Sequence, residues 1–195
     1  MKVLLTNYDG AYVGDRSFEP VFSELDRRRA RVLLHPTSPA CWEHTSLGRP
    51  RPMLEFFFDT TRAVVDLVLG GTIARHTEIE FIIPHAGATL PMIVDRVSVF
   101  SRLLEVDASV DVLRDIARLH YDLAGFPVPR QLDALLTITT LEHLHYGSDY
   151  PFTPEFAVAM AAERLETAGE SPGSLTEALR INTERLFPAL VATSR

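Results

Sequence analysis

The chain has 195 residues, of which 46% are apolar, and this length and composition suit one globular domain with a substantial core. Its net charge of -7 gives no electrostatic reason to expect nucleic acid or an anionic membrane as a partner. The single cysteine, Cys41, excludes an internal disulfide framework. Neither a signal-peptide pattern nor an apolar run of membrane-spanning length is found, so we expect a cytoplasmic protein.

Apolar runs and helical spacing alternate along the chain. Short apolar runs predict strands, and apolar residues three and four positions apart predict helices. The predicted elements are a strand at 3–5, a helix at 18–29, a strand at 31–34, a helix at 59–69, a strand at 80–83, helices at 90–104 and 109–119, a strand at 120–123, a helix at 129–136, a strand that ends near 146, and helices at 154–168 and 174–190. About five strands alternating with helices is the pattern of parallel βα units.

This strand count predicts the fold class. A complete eightfold barrel typically needs about 250 residues, so the chain predicts an α/β fold of the incomplete TIM type, with one side open or covered by something else. We expect a single domain over residues 1–195 that lacks the first strands of the barrel. Residues 36–58 predict a long loop, usually functional or mobile. Asp59 predicts the cap of the following helix, which Gly70-Gly71 ends.

Three predicted strands run directly into side chains that bind metals. His35 follows the strand at 31–34, His85 follows Pro84 after the next strand, and Asp149 follows the turn at Gly147. Because the carboxyl ends of parallel strands form the sites of α/β proteins, these residues suggest a catalytic metal site. Alternatives stay open: each histidine could bond nearby backbone, and Asp149 could cap a helix or close an Asx turn.

These stretches resemble the carboxyl-terminal part of the amidohydrolase-related family. The closest branch contains aminocarboxymuconate-semialdehyde decarboxylase and the resorcylate and methylsalicylate decarboxylases. The matching segments follow the family order over nearly the whole chain: Leu34-His35-Pro36-Thr37, Phe57-Phe58-Asp59-Thr60-Thr61-Arg62-Ala63, Pro84-His85-Ala86-Gly87-Ala88-Thr89-Leu90-Pro91, Asp95-Arg96-Val97, Gly147-Ser148-Asp149-Tyr150-Pro151-Phe152, and Asn182 with Arg185-Leu186-Phe187-Pro188.

The resemblance implies a (β/α)8 barrel with one divalent metal, most often zinc, with manganese as the alternative. It implies that His35 and Asp149 bind this metal and that His85 and Asp149 serve catalysis by moving protons. It also implies that Arg96 binds a substrate carboxylate in the site of a neighbouring subunit. The guanidinium fork suits that task because it can donate two parallel hydrogen bonds. Without the resemblance, Arg96 would be an ordinary surface arginine on a helix.

One family feature is absent. The family's first strand supplies two more ligands as a His-x-His pair, and this chain has no such strand. His143 and His145 have the spacing but lie on the last predicted strand, where alternate positions share a face. We expect His44, His76 and His120 to be loop or surface residues.

Aromatic residues near the long loop are candidates for substrate binding. Trp42 and Phe57 could line the substrate pocket, although loop aromatics more often anchor a loop to the core.

The first functional hypothesis is a metal-dependent hydrolase or decarboxylase, a carbon-carbon lyase, that acts on a small carboxylated compound such as an aromatic acid. In this reading the chain is part of a longer protein, or a partner restores the missing strands. The alternative is a degenerate, non-catalytic family member with a structural or interaction role. An open sheet edge and an uncovered barrel interior should promote association, so we expect a homodimer or a larger assembly.

Overall fold

A computed structural model describes residues 1–104, 106–168, 171 and 173–188. The strands are β1 (Lys2–Leu5), β2 (Asn7–Tyr8), β3 (Ala11–Tyr12), β4 (Arg31–His35), β5 (Glu80–Ile83), β6 (His120–Asp122) and β7 (Leu144–His145). The helices are α1 (Glu19–Arg27), α2 (Trp42–Thr45), α3 (Glu55–Leu69), α4 (Thr72–Arg75), α5 (Leu90–Ser101), α6 (Val112–Ala117), α7 (Arg130–Leu135), α8 (Glu155–Glu166) and α9 (Ser174–Leu186). The predicted end of the last helix at residue 190 lies outside the described residues.

Five strands form one parallel sheet in the order β1-β4-β5-β6-β7, and β2 and β3 form a separate antiparallel hairpin. The strand order follows the chain, as it does around a barrel, whereas a doubly wound sheet reverses its order at a switch point. The prediction of five parallel strands alternating with helices, in an incomplete TIM-type barrel, is therefore confirmed.

Alternation along β4 shows how the sheet separates core from cavity. Val32 and Leu34 are fully buried, whereas Leu33 and His35 are half-buried and belong to the opposite face. Helix α3 lies on the core side and buries Ala63, Val64, Leu67 and Val68. The inner face of the curved sheet is thus left for functional side chains.

The loop predicted at 36–58 is partly helical, because it contains α2, a 3-10 turn at Arg51–Met53 and the first turn of α3. Helix α3 begins at Glu55, so the prediction that Asp59 caps this helix is wrong. Asp59 is fully buried inside the helix. None of the described helices is both long and apolar enough to span a membrane.

The carboxylate of Asp59 connects the loops after β1 and β4. It accepts hydrogen bonds from the side chains of Thr6, Asn7 and Tyr12, and from the backbone amide of Thr37 at 3.2 Å. Burial, reinforced by the bond to Asp59, raises the pKa of Tyr12 to about 12. Tertiary hydrogen bonds therefore replace the local cap that the sequence predicts.

Substituting Asp59 by alanine should lower the free energy of unfolding by about 3 kcal/mol, because several buried donors would lose their acceptor. Urea denaturation followed by circular dichroism measures this change. The control is Asp95→Ala, which removes an exposed carboxylate from α5 and should change stability by less than about 0.5 kcal/mol. Equal losses in both variants would contradict the prediction.

Candidate metal and substrate site

The ends of three strands bring the predicted site residues together. His35 is the last residue of β4, His85 follows β5 after one proline, and Asp149 follows β7 after a short turn. His35 Nε2 lies 3.6 Å from Asp149 Oδ1, and His85 Nε2 lies 3.8 Å from Asp149 Oδ2. The two imidazoles therefore flank one carboxylate at the carboxyl end of the sheet.

Two of these residues occupy the left-handed region of backbone space. His85 and Asp149 both have a φ of 55°. Such a conformation costs a residue with a β-carbon about 1–3 kcal/mol and is concentrated at functional sites. The turn at Asp149 is held by Thr153, whose amide donates to the Asp149 carbonyl at 2.8 Å and whose hydroxyl donates to Oδ2 at 3.1 Å.

The hydrogen bond of His35 determines which ring nitrogen is free to bind a metal. His35 Nδ1 lies 3.0 Å from the Pro36 carbonyl, which can only accept, so Nδ1 carries the proton. Nε2 then has its lone pair free, and it is buried without a hydrogen-bond partner among the described residues. A free imidazole nitrogen beside a carboxylate is a donor pair that fits a divalent cation.

This pair does not form a complete cage by itself. Within residues 1–104, 106–168, 171 and 173–188, no three His, Cys, Asp or Glu side chains are arranged as a metal-binding group. His85 Nδ1 is a further buried nitrogen without a partner in that part of the chain.

The pKa values of the two carboxylates at the site, Asp149 and Asp122, are shifted in opposite directions. The neighbouring His85 imidazole holds the pKa of Asp149 below its ordinary value, and Thr153 and His35 act in the same direction against burial. Burial raises the pKa of Asp122, which lies in the wall of the same cavity. Asp149 is therefore the carboxylate that is ionised and ready to bind a cation near neutral pH.

The site opens into a cavity of about 390 Å³. Its walls are largely apolar and aromatic, and the Phe152 ring lies 5.5 Å from the His35 ring. No lysine or arginine is among the described residues that line it. A mostly apolar cavity of this volume is typical of sites that bind small molecules. Its apolar and aromatic side chains include Leu33, Ile82, Tyr146, Tyr150, Phe152 and Phe187.

The three predicted substrate-binding residues lie in different places. Phe57 stacks on His85, with ring centroids 5.7 Å apart. Trp42 lines a separate groove, where the Arg51 guanidinium lies 5.1 Å from its ring. Arg96 is exposed on α5, with its guanidinium 4.7 Å from the Phe100 ring, and does not line the cavity. Of the three, the structure brings only Phe57 to the predicted catalytic residues.

Some histidines differ from their predicted positions. His76 lies in the loop that follows α4, as predicted, but it is buried and lies 2.7 Å from Glu19, whereas His44 is exposed. His143 ends a 3-10 turn at Leu141–His143 and does not belong to β7. It therefore does not share a strand face with His145.

A hydrogen-bonded chain that the sequence did not reveal lies inside the sheet. His120 begins β6, close to the strand predicted at 120–123, but it is half-buried rather than a loop or surface residue, and its Nδ1 lies 2.8 Å from His145 Nε2. Its Nε2 lies 3.2 Å from Glu80. Burial lowers the pKa of His145 to about 4, with smaller contributions from its histidine neighbours. The sequence did contain one indication of this inward position: His120 and Asp122 are two residues apart on one strand, so their side chains point to the same face of the sheet.

Comparisons with known proteins place these features in context. The sequence model of an amidohydrolase family matches residues 4–189. A 6-methylsalicylic acid decarboxylase from Aspergillus aculeatus is 32% identical over 96% of this chain and 60% of its own length. The crystal structure of an amidohydrolase II protein superimposes with a TM-score of 0.87 and 34% identity, covering 94% of this chain and 60% of the other.

A more distant structure shares the fold. A dihydroxybenzoic acid decarboxylase from a Polaromonas species, solved with manganese and the inhibitor 2-nitroresorcinol, gives a TM-score of 0.78 at 16% identity. The match covers 91% of this chain and 55% of that protein. Against the curated relatives, the chain spans between 49% and 60% of their length.

The buried His145 predicts a loss of stability on mild acidification. Its pKa is about 4 in the folded chain and about 6.5 when unfolded, so the unfolded chain binds more protons between these values. The stabilisation is present above pH 6.5 and is lost as the pH falls toward 4. Between pH 7.5 and pH 5 the free energy of unfolding should fall by about 2 kcal/mol from this residue.

Urea denaturation at the two pH values measures the loss. His145→Asn should reduce the pH dependence by this amount, whereas His44→Asn, which changes an exposed histidine, should retain it. An unchanged dependence in His145→Asn would contradict the assignment.

Proposed function

Because the chain belongs to the amidohydrolase family, we propose that it is a metal-dependent decarboxylase of small aromatic carboxylates. The observation that carries the proposal is the meeting of His35 Nε2 and Asp149 Oδ1 at 3.6 Å on the wall of an aromatic cavity. The decarboxylase activity of the relatives supports it, but the chain spans at most 60% of the curated relatives, so the activity is proposed for the whole protein.

A divalent cation is the proposed cofactor, with His35 and Asp149 as its ligands. Zinc and manganese both accept imidazole and carboxylate ligands, and a fold neighbour contains manganese. When bound, the cation would supply positive charge that polarises the substrate carboxylate and its conjugated ring.

His85 and Asp149 are the proposed catalytic residues. In decarboxylation the bond between the ring carbon and the carboxylate breaks, the electron pair stays on the ring carbon, and carbon dioxide leaves. That carbon then needs a proton, which His85 can hold at Nε2, 3.8 Å from Asp149. The ionised Asp149 would stabilise the protonated imidazole, and the Phe57 ring would keep it in place.

The cavity favours a single-ring aromatic acid as substrate. Its volume and aromatic walls suit such a ring, and the Aspergillus relative is named for 6-methylsalicylic acid. The cavity wall contains no described arginine, so we propose that Arg96 of a neighbouring subunit helps bind the carboxylate. The exposure of Arg96 on α5 leaves its guanidinium available for this role. A role for Trp42 in substrate binding stays a prediction.

A non-catalytic role is the second candidate. It is favoured by the lack of a complete three-ligand group among the described residues. The two candidates differ in metal content and turnover, which can be measured directly.

We also propose a homodimer in the cytoplasm. Among the described residues, no strand pairs with the outer side of β1, and Val3 on this strand is 54% exposed. An apolar edge of this kind favours association.

The purified chain should contain near one zinc or manganese per molecule, measured by plasma mass spectrometry, because His35 and Asp149 supply two ligands. His35→Ala and Asp149→Ala should each lose it, whereas His44→Ala should retain it. His85→Gln should keep the metal and lower kcat for carbon dioxide release from 6-methylsalicylate by about 100-fold or more. Neither metal nor turnover in the whole protein would favour the non-catalytic role.

Light scattering at micromolar concentration should give at least twice the monomer mass, because the apolar edge of β1 would be buried on association. Val3→Lys should shift the mass toward the monomer, since a charge on an edge strand opposes pairing. The control is Leu113→Lys, which places a lysine at another exposed apolar position, on α6. A monomer in the unmodified protein would exclude the proposed dimer.

A further inference from the structure

The backbone that presents His85 is an unusual turn. His85, Ala86, Gly87 and Ala88 have φ values of 55°, 52°, 76° and 54°, so four consecutive residues have a positive φ. Only one of them is glycine, the residue that adopts a positive φ without steric cost. Such a turn persists only when its surroundings hold it.

Two side chains from other elements hold this turn by its backbone. Asp122 Oδ1 accepts the amide hydrogens of His85 and of Ala124, each at 3.0 Å. Gln131 Nε2, on α7, donates to the carbonyls of His85 at 2.6 Å and of Ala88 at 3.1 Å. Both backbone polar groups of His85 are therefore bound by side chains distant in sequence.

The same carboxylate also packs against the segment that leads to Asp149. A β-carbon on Gly147 would lie 2.9 Å from Asp122 Cβ and Cγ, which is closer than real β-carbons approach. Glycine at this position lets the end of β7 pass directly over Asp122. Asp122 thus contacts both the turn that carries His85 and the turn that precedes Asp149.

We propose that Asp122 and Gln131 are positioning residues, which hold the His85 imidazole beside Asp149, where it can deliver a proton to the substrate carbon. The proposal rests on the proposed function, in which His85 delivers a proton. A displacement of about 1 Å at a reacting group can lower a rate about 100-fold. What Asp122 contributes is an acceptor oxygen for two amides, so an asparagine oxygen should serve nearly as well.

The test compares Asp122→Ala, Asp122→Asn and Gln131→Leu, with Asp133→Ala as a control on the exposed side of α7. The first readout is hydrogen exchange at the amides of His85 and Ala124, together with the NMR signals of the His85 ring, which the stacked Phe57 shifts. We expect Asp122→Ala to speed exchange at both amides at least tenfold and to move the ring signals. Asp122→Asn and Asp133→Ala should resemble the unmodified protein.

The second readout is turnover. Asp122→Ala and Gln131→Leu should lower kcat at least tenfold, with KM changed less than about threefold, and Asp122→Asn should recover most of the loss. Unchanged exchange in Asp122→Ala, or an Asp122→Asn variant as slow as Asp122→Ala, would overturn the positioning role.

If Asp122→Ala does not fold, Gln131→Leu provides the test instead. The NMR signals of the His85 ring should move in Gln131→Leu and stay in place in Asp133→Ala. Unmoved signals would overturn the proposal. If the whole protein shows no decarboxylation, the proposed function fails, and the exchange and ring measurements still decide whether these side chains position His85.

Discussion

Parallel pairing of consecutive strands is the constraint on which the site depends. Each strand of the sheet pairs with the next one along the chain, and the register aligns Leu5 with His35 and Asp122 with His145. Residues that follow different strands therefore emerge at one edge, although long helical segments separate them in sequence. The helices cover the other face of the sheet and bury its apolar side chains. Residues at the carboxyl ends of the strands can therefore be replaced without changing the packing of that core.

Backbone strain is concentrated at two of the three site residues. His85 and Asp149 are held with positive φ, whereas His35 ends a regular strand. The two residues with positive φ are the two to which we assign catalysis, whereas His35 is assigned to metal binding alone. The strained turns are stabilised by side chains bound to backbone, Thr153 at one turn and Asp122 with Gln131 at the other. Local strain is thus offset by tertiary hydrogen bonds.

The sequence predicted the strand ends because their signal is local. An apolar run that continues directly into His35, or into Pro84 and His85, places these residues at the carboxyl end of a strand. Asp59 was predicted wrongly because its neighbours in sequence resemble a helix cap, whereas its hydrogen-bond partners come from the hairpin after β1 and from Thr37 after β4. Asp122 and Gln131 were missed for the same reason: nothing near either residue in sequence reveals that it binds the His85 turn. The spacing of apolar residues along a sequence predicts helices and strands, but it does not show which distant residues a polar side chain will bind.

The composition of the cavity wall limits how a carboxylate could bind. An anion that leaves water for a largely apolar cavity needs a compensating charge, since burying an unpaired charge is costly. Asp149 is itself negative and would repel a carboxylate, and the described wall contains no lysine or arginine. A cation held by His35 and Asp149 would reverse the sign of the field at this point, and Arg96 of a neighbouring subunit would add a second charge. For a carboxylate substrate, binding therefore depends on metal retention, and association of subunits would strengthen it further.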